Sequence, residues 1–146
     1  MKISIVNGPN LKYIGQREPD IYGNVSLDNL KNYINQYIKT PCQIEVYQSN
    51  SEGALIDYLE TLWENEWDGI VINAGAYTHT SIALADCLSW IKLPYVEVHL
   101  SNIYARETFR HKSFLSAKAI GVICGFGIYG YVLGVQALIK NIEQGG

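Results

Sequence analysis

The sequence predicts an α/β fold, a doubly wound sheet of five parallel strands with helices on both faces. Three observations lead there. Strand-length apolar stretches alternate with segments of helical period along the chain. A length of 146 residues at 48% hydrophobic composition suits one domain with a full core, residues 1–146. Polar, chemistry-bearing residues collect just after the apolar stretches, where open α/β sheets bind their ligands. Strands that alternate with helices run parallel through right-handed crossovers, and the flavodoxin-like strand order is the simplest five-stranded solution.

The first strand is expected at Lys2 to Asn7 and empties into Asn7-Gly8-Pro9-Asn10. Gly8 to Val25 is the longest irregular stretch, and its Arg17, Glu18, Pro19, Tyr22 and Gly23 give it the composition of a lid rather than a linker. Leu27, Leu30, Ile34 and Ile38 then keep helical spacing behind Ser26 as N-cap. A second strand, Gln43 to Gln48, leads to a helix with Leu55, Tyr58, Leu59 and Leu62 on one face. Ser49 and Glu52 are placed to form its capping box. The third strand is Gly69 to Asn73, followed by a helix from Ile82 to Trp90. The fourth is Tyr95 to His99, the fifth Ala119 to Cys124, and a helix from Tyr131 to Ile142 closes the set.

Charge and cysteine usage narrow the class. A formal charge of -3, with no run of Lys or Arg, argues against a nucleic-acid partner. Cys42, Cys87 and Cys124 are odd in number and scattered, so they read as reduced core thiols. The opening Lys2-Ile3-Ser4-Ile5-Val6 is too short an apolar run for a signal peptide, and no membrane span follows, so a cytoplasmic enzyme is expected.

Glu97 and His99 sit two apart on one predicted strand and therefore share a face. The pair suits a general acid whose ring is oriented by a carboxylate, with an inert buried pair as the alternative. His79, in Tyr77-Thr78-His79-Thr80-Ser81, reads either as a site residue or as a helix cap. Arg106 and Arg110 lie one turn apart if their segment is helical. That spacing is usual for a solvated face, but these arginines follow His99 at the active edge. Arg17 with Tyr22 poses the sharpest question. A phenol titrates at about 10, and making it a base near neutrality takes roughly 4 kcal/mol of stabilisation of its phenolate, within reach of one or two nearby arginines. The alternative is an exposed loop tyrosine.

Other motifs lead away from the common cofactors. Gly125-Phe126-Gly127-Ile128-Tyr129-Gly130 matches the dinucleotide pattern GxGxxG, but only one helix remains after it and no strand carries the acidic ribose contact. These glycines are expected to serve a tight turn and close packing. His79, His99 and His111 lack metal-ligand spacing, and Ser81 sits in no GxSxG elbow. Neither a metal nor a cofactor is expected. Two non-enzymatic readings compete: a flavodoxin-like module binding a small anion or nucleotide, and a structural oligomer. The first lacks a Gly-rich phosphate turn, and the second leaves the concentration of Arg, His, Asn and Tyr at one sheet edge without a reason.

The segments Asn7-Gly8-Pro9-Asn10-Leu11, Gly15, Arg17-Glu18-Pro19 and Tyr22-Gly23 resemble the amino-terminal signature of type II dehydroquinases (type II 3-dehydroquinate dehydratases). The resemblance continues through Gln48 to Gly53, Asn73 to Ser81, Glu97-Val98-His99-Leu100-Ser101-Asn102, Arg106 to Arg110 and Gly121 to Gly134, covering essentially the whole chain in order. It implies a cofactor-free hydro-lyase of the shikimate pathway or of quinate breakdown. Such an enzyme converts 3-dehydroquinate to 3-dehydroshikimate by anti elimination through an enolate, with no Schiff-base lysine. It further implies Tyr22 as base, Arg17 and Arg106 stabilising phenolate and enolate, His99 as general acid and Glu97 orienting it. Asn10 would hold the catalytic water or the ring side of the substrate. Leu100, Ser101 and Asn73 would anchor the substrate carboxylate, His79 and Arg110 would meet its other hydroxyls, and Asp86 would reach a neighbouring subunit's site. A homo-oligomer, a dodecamer of trimers, is implied with it. Lys12-Tyr13 and Thr108 depart from the family pattern at positions that flank these roles.

Overall fold

The computed structural model describes residues 1–17, 19–22 and 25–146, and the side chains of residues 21 and 22 lie outside that description. Five strands, β1 (Lys2–Asn7), β2 (Gln43–Gln48), β3 (Gly69–Asn73), β4 (Tyr95–His99) and β5 (Gly121–Cys124), form one sheet in the order β2-β1-β3-β4-β5. Every neighbouring pair is parallel. This is the flavodoxin-like order expected from the sequence.

Side-chain alternation along the strands sorts the core into two layers. Ile3, Ile5, Val71, Val96 and Val98 face α3 (Leu27–Asn35) and α6 (Tyr129–Glu143), meeting Leu30, Ile34, Val132, Val135 and Leu138. Val6, Ile70, Ile72 and Tyr95 point the other way, onto Leu55, Leu59 and Leu62 of α4 (Glu52–Glu64) and Leu84, Cys87 and Leu88 of α5 (Ile82–Ile91). Burying each of these aliphatic side chains contributes roughly 1.5–3 kcal/mol before entropy is set against it. No helix among the described residues is long and apolar enough to cross a membrane.

Several local expectations are corrected. Residues 8 to 25 are not wholly irregular: two one-turn helices, α1 (Ile14–Arg17) and α2 (Pro19–Tyr22), lie within them, while Glu18 and Gly23 fall outside the described residues. Ser26 occupies the N-cap position of α3 but its side chain makes no capping bond, and the helix stops before Ile38, which packs against the core from beyond its end. The capping box of α4 does not form. Ser51, directly before the first helical residue, accepts from the Ala54 amide at 3.2 Å, and the Ser49 hydroxyl accepts from the Ser51 amide instead. An N-cap oxygen reaches only the amides of the first turn, so the cap belongs to the residue adjoining it. β5 begins at Gly121 rather than Ala119, because Ser116–Lys118 coils as a 3-10 turn before the strand. Of the three free cysteines only Cys87 is buried, where burial pushes its thiol up to about 11, while Cys42 and Cys124 are half-buried.

The GxGxxG segment serves the turn into α6. Gly125 and Gly127 adopt φ +95 and +58, and their amides donate to the His99 and Leu100 carbonyls at 3.3 and 2.9 Å. Amides committed in this way cannot cradle a phosphate; they tie the exit of β4 to the start of α6.

Candidate active site

A cleft of about 220 Å³ opens beyond the carboxyl ends of β1, β3 and β4. Its walls are Pro9, Asn10 and Leu11 after β1, Ile14 and Arg17 of α1, and Asn73, Gly75, Ala76 and His79 at and after the end of β3. Leu100, Ser101, Ile103, Arg106 and Arg110 complete it beyond His99. The position is dictated by topology. The chain leaves β1 toward β2 on one side and meets β3 on the other, so the loops after β1 and β3 diverge and leave a crevice. Of the residues anticipated from sequence, the cleft brings together Asn10, Arg17, Asn73, His79, His99, Leu100, Ser101, Arg106 and Arg110. Tyr22 is the exception that matters most, since its side chain lies outside the description. Asp86 is exposed on α5 and does not line this cleft.

Glu97 is fully buried behind the cleft wall, on the same strand face as His99. Its Oε2 accepts from His99 Nε2 at 2.6 Å, and its Oε1 accepts from the hydroxyls of Ser113 and Ser116 at 2.9 and 2.8 Å. Burial alone would push this carboxyl up. The hydrogen bonds from His99, Ser116 and Ser113 outweigh it and hold Glu97 below the usual carboxylate range. With Nε2 spent on Glu97, Nδ1 is the ring nitrogen of His99 left for chemistry. Tyr95, one residue pair further down the same face, is pushed up to about 12 by burial and then by the charge on Glu97; its hydroxyl donates to the Leu115 carbonyl.

His79 ends a 3-10 turn, Gly75–His79, and Ser81 rather than His79 caps α5, accepting from Leu84 N at 3.0 Å. The His79 ring lies nearly parallel to that of His99, with centroids 6.1 Å apart, and its Nδ1 contacts the Lys112 carbonyl at 2.7 Å. That contact makes Nδ1 the protonated nitrogen and leaves Nε2 for a ligand. Arg106 and Arg110 are not one α-helical turn apart, because two 3-10 turns, Ile103–Ala105 and Thr108–His111, carry this segment. Arg106 donates to Ser101 Oγ at 3.3 Å, and Arg110 pairs with Glu107 while lying 4.8 Å from the Phe109 ring centre. The hydrogen bond from Arg110 lowers the Glu107 carboxyl. Arg17 donates to the Asn10 carbonyl at 2.8 Å. Three guanidinium groups around one small cleft favour an anionic ligand.

Supports that sequence reasoning did not single out hold these groups. Asn10 stands at φ 67, a conformation asparagine tolerates better than most residues, and its amide donates to Asn50 Oδ1 at 3.1 Å. Gly8 lies so close to β3's exit loop that a Cβ there would sit 2.2 Å from the Ala74 carbonyl oxygen. Asn73 is oriented by two bonds: its Oδ1 accepts from Gly75 N at 3.2 Å, and its Nδ2 donates to the buried Tyr131 hydroxyl at 3.0 Å, which in turn donates to Asn7. Apart from the local Asn73–Gly75 bond, these partnerships span distant parts of the chain and have no periodic signature.

Comparison with known proteins agrees with this architecture. A family profile described as dehydroquinase class II matches residues 1–139. The chain is 51% identical to the 3-dehydroquinate dehydratase of Prochlorococcus marinus (strain MIT 9211), over 99% of this chain and 97% of that one. It is 48% identical to the 3-dehydroquinate dehydratase of Prochlorococcus marinus (strain NATL1A), over 99% of each. The crystal structure of the type II dehydroquinase from Butyrivibrio crossotus DSM 2876 superimposes with a TM-score of 0.88 at 46% identity, covering 95% of this chain and 97% of that one.

Proposed function

Because the chain belongs to the class II dehydroquinase family, we propose that it catalyses the elimination of water from 3-dehydroquinate to give 3-dehydroshikimate, a hydro-lyase reaction of the shikimate pathway. The observation that carries this reading is the buried Glu97–His99 pair facing a cleft ringed by Arg17, Arg106 and Arg110. Such a site has an acid to protonate a leaving hydroxyl and cations to bind a carboxylate and stabilise an enolate.

In this reading Tyr22 removes the proton alpha to the ketone, its phenolate favoured by Arg17 with help from Arg106. The enolate then expels the β-hydroxyl, which leaves as water with the proton from His99 Nδ1, and Glu97 holds the imidazolium that supplies it. The amides of Leu100 and Ser101, the Ser101 hydroxyl and Asn73 bind the substrate carboxylate. His79 and Arg110 meet the remaining hydroxyls, and Asn10 holds a water or the ring edge. The chemistry is assigned to side chains alone, with neither metal nor organic cofactor. We further assign the chain as one domain acting in an oligomer, a dodecamer of trimers, in which Asp86 completes a neighbour's site. A cytoplasmic location goes with this assignment, and three unpaired thiols suit a reducing compartment.

The test is direct. Purified protein mixed with 3-dehydroquinate should generate the ultraviolet absorbance of the conjugated enone, and well-folded protein that yields no signal above background refutes the assignment. Tyr22→Phe should abolish turnover while product-like ligands still bind, because shape is kept and only the ionisable hydroxyl is lost. If it retains most of the wild-type rate, another group is the base.

A further inference from the structure

We propose that Ser113 and Ser116 are positioning residues for the elimination. In this role they lock the Glu97 carboxylate so that one His99 proton stays on Nε2, bound to Glu97, and Nδ1, which carries the second proton of the imidazolium, is turned to the substrate. The inference rests on the assignment of His99 as general acid and extends it to a loop outside the cleft lining.

Hydrogen-bond valence carries the argument. The Ser113 Oγ accepts from the amides of Leu115 and Ser116, at 3.0 and 3.2 Å. Two N–H donors occupy both lone pairs of that hydroxyl, so its single proton has one place to go, Glu97 Oε1 at 2.9 Å. Ser116 supplies a second hydroxyl to the same oxygen at 2.8 Å. With two donors aimed at Oε1, that oxygen cannot itself carry a proton. Because these bonds also hold the carboxyl below the usual carboxylate range, Glu97 meets His99 through an unprotonated Oε2, 2.6 Å from Nε2, and a ring proton belongs on Nε2. The geometry also fixes where the ring points. Glu97 is fully buried, and without the serines Oε1 would be a charged oxygen with no partner, free to turn toward other donors and to carry the His99 ring with it. Neighbouring groups do not substitute: the Tyr95 hydroxyl is committed to the Leu115 carbonyl, and His79 is bound to the Lys112 carbonyl. The half-buried Ser113 and Ser116, at either end of one short segment, thus act as a clamp on the acid.

The experiment compares wild type with Ser113→Ala, Ser116→Ala, the double variant, and the hydroxyl-retaining Ser113→Thr and Ser116→Thr. Each alanine should lower kcat roughly tenfold, and the pair roughly a hundredfold, with KM changed less than about twofold, as expected when a charge-assisted bond behind an acid is lost. At a pH where the imidazoles are neutral, their nitrogen-15 shifts should report His99 protonated at Nε2 in wild type and a mixed or reversed tautomer in the double variant. At least one threonine variant should restore both readouts. Wild-type kcat and an unaltered tautomer in a folded double variant would overturn the inference, as would a loss confined to KM or thermal stability. The nitrogen-15 readout needs no substrate, so it decides the clamp by itself. A wild type that forms no enone would count against the proposed reaction alone.

Discussion

At the scale of single residues, the decisive feature is the direction of a few protons. Glu97 receives three donors at two oxygens, and its carboxyl is held low despite full burial. A carboxyl whose folded value is depressed stabilises the protein above its unfolded pKa, about 4.3 for glutamate, and that contribution is lost as pH falls through the folded value. Wild type should therefore lose stability below about pH 4 more steeply than Glu97→Gln, as measured by denaturant midpoints across pH. The same substitution tests proton direction. A glutamine offers one oxygen and one NH2, and the Ser113 proton demands the oxygen, so the amide should turn its NH2 toward His99. The neutral ring proton then moves from Nε2 to Nδ1, visible in nitrogen-15 shifts, and kcat should fall because the imidazolium has lost its counter-charge. A Glu97→Gln variant that keeps wild-type kcat and tautomer would contradict this picture.

At the scale of elements, the site depends on how closely two loop exits approach. β1 and β3 lie side by side, with Asn7 paired to Asn73, and Gly8 follows directly with its amide on the Asn73 carbonyl at 2.8 Å. A methyl group at residue 8 meets backbone, which cannot swing aside as a side chain would. Gly8→Ala should therefore cost roughly 3 kcal/mol and much of the activity together, read as a thermal midpoint and a kcat on the same preparation. The cap of α4 gives a milder contrast. Ser51→Ala should destabilise by about 1 kcal/mol with kcat unchanged, and Ser49→Ala by less, in urea titrations. Equal losses at the two positions would favour the capping box over the Ser51 cap.

At the scale of the whole molecule, the two core layers frame the sheet, and its carboxyl edge carries the cleft. Asp86 stands apart from the cleft on the outer face of α5, so a role for it in this reaction requires another subunit. If sites are shared in that way, Tyr22→Phe and Asp86→Ala, each nearly inactive alone, should regain a fraction of wild-type turnover when unfolded together and co-refolded. Light scattering on the mixture would report the assembly. No recovery in fully assembled mixtures would place Asp86 outside the site.

The sequence by itself determined the five strands to within two residues, their parallel sense and the edge where the cleft opens, because hydrophobic periodicity is a local property and parallel crossovers leave few topologies. It also placed Glu97 and His99 on one face, since alternation along a strand needs no tertiary information. The residues around the cleft were legible as motifs of a family, and the cleft indeed gathers Arg17, His79, Arg106 and Arg110. Only the tertiary structure decided which serine caps α4, that Arg106 follows one 3-10 turn and Arg110 lies in the next, and that Ser113, Ser116, Asn50 and Tyr131 hold the site from behind. Hydrogen bonds between residues 16 to 124 positions apart leave no periodic trace in a chain. They exist only once folding has brought a particular donor to a particular buried acceptor.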